Sequence, residues 1–215
     1  ASITMAAGTA IEAGSGNVTL RLLDGAGKTN REIGSVGLGT VRTTGTLAID
    51  SQGAVTVGGD GVTAGRVNIN AAAQLTLAAP VTASGTGDAL VLSGREVRNT
   101  GGSLAAPNGR WLVFAADPSR VTAGGLLAAR WYNQGFASFV PDTTRIGAGN
   151  RFVFSQAPVL TVEPAVQAII IGRPVPQTFA ITGLVNGDTD AEAWNGTPVI
   201  VASGLGPDGR TVTLT

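Results

Sequence analysis

Leu47-Ala48-Ile49, Val55-Thr56-Val57, Val67-Asn68-Ile69 and Leu75-Thr76-Leu77 follow one another within residues 47–77. Each triplet reads apolar, other, apolar, the alternation of a half-buried strand. Gly, Ala, Ser, Asn and Thr fill the gaps and turn the chain without adding bulk. Val18-Thr19-Leu20 extends the pattern backwards and Leu90-Val91-Leu92 extends it forwards. Aligned, the strands form five rows: Ile3, Ile11, Val18; Ile33, Val41, Leu47; Val55, Val62, Val67; Leu75, Val81, Leu90; and Val97, Leu104, Trp111. A period of about twenty residues is the mark of a solenoid, whose coils are too small to bury a core alone and must stack. Strands that pair with their equivalents one coil away give a parallel β-helix, and the crossover rule favours a right-handed one. At about 4.8 Å per coil, five coils advance about 24 Å.

The second row is irregular. Val18 to Ile33 is long, and the excess, Asp24-Gly25-Ala26-Gly27-Lys28-Thr29-Asn30-Arg31, reads as a loop projecting from a coil edge. The first row opens at Ile3 with no preceding cap and no signal-peptide pattern, so the chain reads as an excised or processed piece.

Composition narrows the function classes. Hydrophobic residues are 43% of the 215, enough for a core, while aromatics are 5%. Lys plus Arg and Asp plus Glu are 14 each, so no basic field draws in nucleic acid or an anionic membrane. Low charge with many Thr, Ser, Asn and Gly suits a secreted bacterial surface protein. Cysteine and histidine are both absent, which excludes disulfides, thiol chemistry and the commonest general base and metal ligand. No apolar run is long enough for a membrane-spanning helix.

Composition shifts at Trp111. Eight of the ten aromatic residues lie between it and Phe154: Trp111, Phe114, Trp131, Tyr132, Phe136, Phe139, Phe152 and Phe154. A solenoid end exposes apolar area and unpaired backbone, and aromatics cover much area at low entropic cost. Residues 1–116 are therefore expected to form the β-helix and 117–157 an aromatic cap and transition. Trp111 is expected inside the last coil, with Phe114 and later aromatics over its open end. Six of the ten prolines follow, from Pro158 to Pro207. Strand candidates at 159–162, 168–171, 178–182, 198–202 and 211–214, with turns at Asn186-Gly187-Asp188 and Gly206-Pro207-Asp208-Gly209, predict a small β-sandwich-like module over 158–215. The fold class is all-β.

The stretch Gly109-Arg110-Trp111-Leu112-Val113-Phe114-Ala115-Ala116-Asp117-Pro118 resembles large bacterial exoproteins of the filamentous haemagglutinin type. In that group a similar strand closes the β-helix before a Tyr-rich stretch, whose place Trp131-Tyr132-Asn133 takes. Gly149-Asn150-Arg151-Phe152-Val153-Phe154 with Ala157-Pro158 and Leu160-Thr161-Val162 is also similar to the group. Ile181-Thr182-Gly183-Leu184-Val185-Asn186-Gly187-Asp188-Thr189 resembles the MBG/YDG-type bacterial immunoglobulin-like repeats that often follow such a β-helix. The chain departs from these patterns twice. The secretion-domain motifs of two-partner exoproteins are missing, and Ile171-Gly172-Arg173-Pro174 stands where an MBG repeat carries tyrosine-glycine. The resemblance implies a secreted adhesin of the bacterial cell surface, with a divergent or truncated immunoglobulin-like module.

Catalytic and cofactor chemistry finds little footing. Gly25-Ala26-Gly27-Lys28-Thr29 lacks the first glycine of a phosphate loop, since Leu22 stands there, and the glycines that follow oppose a helix. Gly58-Gly59-Asp60-Gly61 resembles one calcium-binding nonapeptide fragment, but no stacked copy follows, so it reads as a turn. Polysaccharide hydrolysis or elimination needs clustered carboxylates, whereas Asp50, Asp60 and Asp88 take different coil positions. Thr4, Thr56 and Thr76 share a face, but Gly34 and Arg98 interrupt it and no paired Thr array for ice forms. Trp131 and Tyr132 are the candidate ligand surface: either a sugar-stacking platform or a cover for the solenoid end. No catalytic residue, metal site or cofactor is expected. The function expected is a stiff structural or adhesive segment, its partners surface glycans or proteins of host or neighbouring cells. The alternatives are a filament subunit that polymerises by strand exchange and a carbohydrate-active β-helix enzyme.

Overall fold

The computed structural model describes residues 2–22, 34–137, 142–165, 178–185, 200, 202–205 and 212–214, the last two stretches as backbone strands. The loop 24–31, Ile33, Phe139, the strand candidate 168–171 and the turns 186–188 and 206–209 lie outside these residues. The chain divides into two compact units, Ala1–Ala157 and Pro158–Thr215.

The first unit is a parallel β-solenoid of about five turns. Its strands form an eleven-stranded sheet and a five-stranded sheet. The larger sheet bends around the coil because two long strands, Arg66–Leu77 and Gly87–Asn99, each run through a corner. Three faces result, and every pairing on them is parallel. On the first face Val36 pairs with Val55, Val55 with Leu75, and Leu75 with Val97. On the second face Ile11 pairs with Val41, Val41 with Val62, Val62 with Val81, and Val81 with Leu104. On the third face Val18, Leu47, Val67, Leu90 and Trp111 form one rank.

Those inward ranks make the core. Val41, Leu47, Val55, Leu75, Val81 and Leu90 are all fully buried, and Val36 and Val97 nearly so. Each aliphatic side chain so removed from water contributes about 1.5–3 kcal/mol relative to exposure. Among the described residues, the buried polar side chains Asn99 and Thr43 brace turns. Asn99 follows Leu77 in its rank and is buried. Its Nδ2 donates to the carbonyls of Gly102 and Ala123, both at 3.0 Å, and its Oδ1 accepts from Gly102 N at 2.7 Å. Thr43 Oγ1 likewise donates to Gly16 O at 2.5 Å and accepts from Gly45 N at 2.9 Å.

The turn at Gly58-Gly59-Asp60-Gly61 owes its glycines to stacking. Gly61 has φ +90°, and a Cβ there would lie 2.1 Å from the Pro80 carbonyl oxygen of the next coil. The exposed Asp60 carboxylate pairs with Arg42 at 3.4 Å, and Arg42 also reaches Glu12 at 2.7 Å.

The second row departs from the expected register. Val36, not Ile33, stands opposite Ile3. Only Val36-Gly37-Leu38 supplies the apolar, other, apolar triplet that stacks on Val55-Thr56-Val57. The outward rank on that face is accordingly Thr4, Gly37, Thr56, Thr76, Arg98 and Thr122, interrupted by Gly37 rather than Gly34.

Parallel pairing also runs past residue 116. Val121–Thr122 adds to the first face beside Val97 and Arg98. Arg151–Phe154 pairs with Gly109–Ala115, and Ala129–Trp131 pairs with Arg151–Phe154 from the other side. The later strand is thus inserted between two earlier ones. Residues 117–157 contribute strands to the stack itself. Apart from the 3-10 turn Pro118–Arg120, no helix occurs among the described residues, and none is long and apolar enough to cross a membrane.

In the second unit, Thr161–Pro164 pairs antiparallel with Phe179–Thr182, and Ala202–Leu205 with Val212–Leu214. Gly183 ends the second of these strands at φ +92°, where a Cβ would lie 2.1 Å from Val159 O.

Candidate ligand groove

Strand alternation decides which side chains face outward on the third face. Trp111, Val113 and Ala115 point into the solenoid, where Phe152 and Phe154 join them. Leu112 and Phe114 point out, and with Val91, Ile146 and Val153 they form a second apolar cluster, packed by Trp131 and Phe136. Phe114 was expected over the open end of the coil. It lies instead beneath a layer on the outer face, because its parity is opposite to that of Trp111. The Trp111 and Phe152 rings meet edge to face with centroids 5.4 Å apart inside; Phe114 and Phe136 do so at 5.3 Å outside.

Trp131 and Tyr132 obey the same parity. Trp131 is opposite Val153 and joins the outer cluster. Tyr132 stacks on Phe154 at 5.5 Å and packs against the inner core. The two neighbouring rings thus pack on different clusters. Each is half-buried.

A polar clamp fastens the covering segment. Arg110 Nε donates to Asp88 Oδ1, and Thr143 Oγ1 donates to Asp88 Oδ2. Arg110 Nη1 also donates to the carbonyls of Ile146 and Gly147. Asn150 Oδ1 accepts from Trp111 N at 2.9 Å. Burial pushes the Asp88 carboxyl up, but the hydrogen bonds from Arg110 and Thr143 and the charges of Arg110 and Arg66 hold it below its ordinary value. Asp50 is held elsewhere, accepting from Asn70 Nδ2 at 3.0 Å and facing Arg21 at 4.0 Å. Asp50, Asp60 and Asp88 therefore sit in three separate polar networks.

One outward rank runs Asp50, Asn70, Ser93, Phe114, Val153, Trp131. Where the rank passes from polar to apolar it borders a groove of about 400 Å³. Asn70, Ser93 and Phe114 follow one another along it, with Phe136 as an apolar wall and Arg95 and Ser155 at its rim. Ala71, Gly94, Ala115 and Gly135 also line it. Ser93 is 7% exposed, yet its hydroxyl makes no hydrogen bond among the described residues. Arg95 is exposed and forms no ion pair among them. None of these groove residues was singled out from sequence apart from Phe114 and Phe136, which were assigned to the cap. The available signal was the unbroken apolar run Trp111-Leu112-Val113-Phe114-Ala115, which marks a strand covered on both faces.

No family model matches the chain, and neither the curated proteins nor the solved structures contain a match to it.

Proposed function

We propose that the chain is a structural and adhesive segment of a secreted bacterial surface exoprotein of the filamentous haemagglutinin type, a stiff scaffold that presents binding surface to host or neighbouring cells. The observation that supports it is the in-register parallel ladder, whose inward ranks, such as Val36, Val55, Leu75 and Val97, are buried from coil to coil. Such a stack resists deformation because adjacent coils share backbone hydrogen bonds along its length. In this reading the coil is right-handed, aromatic residues close its end, and a sandwich-like MBG module occupies 158–215. It has no catalytic step. The test is adhesion: beads coated with the full chain should bind bacterial or animal cells above albumin-coated beads. Equal binding by the two bead types across a panel of cells would refute the adhesive reading.

A further inference from the structure

We infer that the groove beside Asn70, Ser93 and Phe114 binds a short glycan carrying a carboxylate, an inference that rests on the adhesive reading above and names its ligand class. Three observations converge. The Ser93 hydroxyl borders the groove without a protein partner among the described residues, so its donor and acceptor are both open to a ligand. Arg95 offers a guanidinium without an ion-pair partner among those residues at the rim, and its planar fork matches a carboxylate in two-point fashion. Phe136, backed edge to face by Phe114, supplies the apolar wall on which the CH face of a sugar packs.

The groove favours a sugar over a peptide. Asn70, Ser93 and Phe114 lie on paired strands inside the ladder, so these strands offer a peptide no free edge for main-chain augmentation. Recognition falls on an amide, hydroxyls, a guanidinium and a ring, which suits a hydroxylated ligand. The small lining residues let it approach the backbone closely. A volume of about 400 Å³ lies in the range of small-ligand sites, about 300–1,000 Å³. Arg95 is the only cationic residue among the described lining, which fits one carboxylate rather than a densely sulfated chain.

Trigalacturonate, its methyl ester and a sulfated disaccharide are titrated calorimetrically into the full chain, into Arg95→Gln and into the distant control Arg42→Gln. Trigalacturonate should bind the wild type and Arg42→Gln alike, and at least tenfold more weakly to Arg95→Gln. The methyl ester should lose as much on the wild type. Absence of trigalacturonate binding, equal binding by Arg95→Gln, or tighter binding of the sulfated sugar would each overturn the inference. Bead adhesion by Arg95→Gln separates the two levels. Adhesion kept at the wild-type level discards the groove as the adhesive site and leaves the scaffold reading standing. Adhesion lost together with trigalacturonate affinity supports both.

Discussion

Trp111 and Phe114 stand three residues apart on one strand and are buried in opposite directions, Trp111 at 3% exposure inside the solenoid and Phe114 at 1% beneath the layer outside it. The third face is therefore covered on both sides at its C-terminal coils. That second layer creates the groove, because it covers Phe114 while leaving the neighbouring Ser93 and Asn70 at an open border.

Core packing should be severe at Leu75. It is fully buried between Val55 and Val97. Leu75→Ala should lower unfolding free energy by about 2–5 kcal/mol, and Leu75→Asp by more, since it buries an unpaired charge. Thr76→Val, on the outward side of the same strand, should change it by less than about 0.5 kcal/mol. Denaturant midpoints for the three variants check this ordering.

The outer layer has its own signature. Phe114→Ala removes a buried ring from the cluster of Leu112, Ile146 and Val153 and should destabilise by about 3–5 kcal/mol. Trp131 packs on that cluster, so loosening it should shift tryptophan emission to the red. An unshifted spectrum would place Trp131 elsewhere.

Two glycines with positive φ should answer differently to alanine. At Gly61 a Cβ would meet Pro80 O at 2.1 Å, whereas at Gly87, φ +67°, nothing lies within 4 Å. Gly87→Ala should show only the backbone penalty, about 1–2 kcal/mol. Gly61→Ala should be clearly worse, because it also forces two coils apart. Similar melting temperatures for the pair would contradict this stacking geometry.

Acid should weaken the clamp at Asp88. Its carboxyl is held below the ordinary value, so the folded state favours the ionised form. That stabilisation is fully present above the unfolded carboxylate pKa of about 3.9 and is lost as pH falls through the lower folded value. The stability gap between wild type and Asp88→Asn should be constant above about pH 5 and should narrow below about pH 4. Denaturation series from pH 2.5 to 7 measure it, and a gap that widened in acid would reverse the assignment.

Much of the solenoid was legible because parity and period are written locally. Val41, Leu47, Val55, Val62 and Val67 each fell in the expected rank. The second row slipped because Ile33 and Val36 are both β-branched. Only Val36 has an apolar residue, Leu38, two positions on. The outer layer was harder to read. Arg151–Phe154 enters between Gly109–Ala115 and Ala129–Trp131, and a strand that returns out of order leaves no periodic trace. The groove depends on that return.

In-register parallel stacking is the central claim, and the chain's lack of cysteine allows a direct test. Thr56 stands opposite Thr76 on the first face, and Thr63 opposite Thr82 on the second. Adjacent strands lie about 4.8 Å apart, within the Cα separation of about 4.4–6.8 Å that a disulfide spans. Under mild oxidation, Thr56→Cys with Thr76→Cys and Thr63→Cys with Thr82→Cys should each form an intramolecular disulfide. The swapped pairings, Thr56→Cys with Thr82→Cys and Thr63→Cys with Thr76→Cys, should stay reduced. Equal crosslinking in swapped and matched pairs, or none in the matched pairs, would contradict the stack.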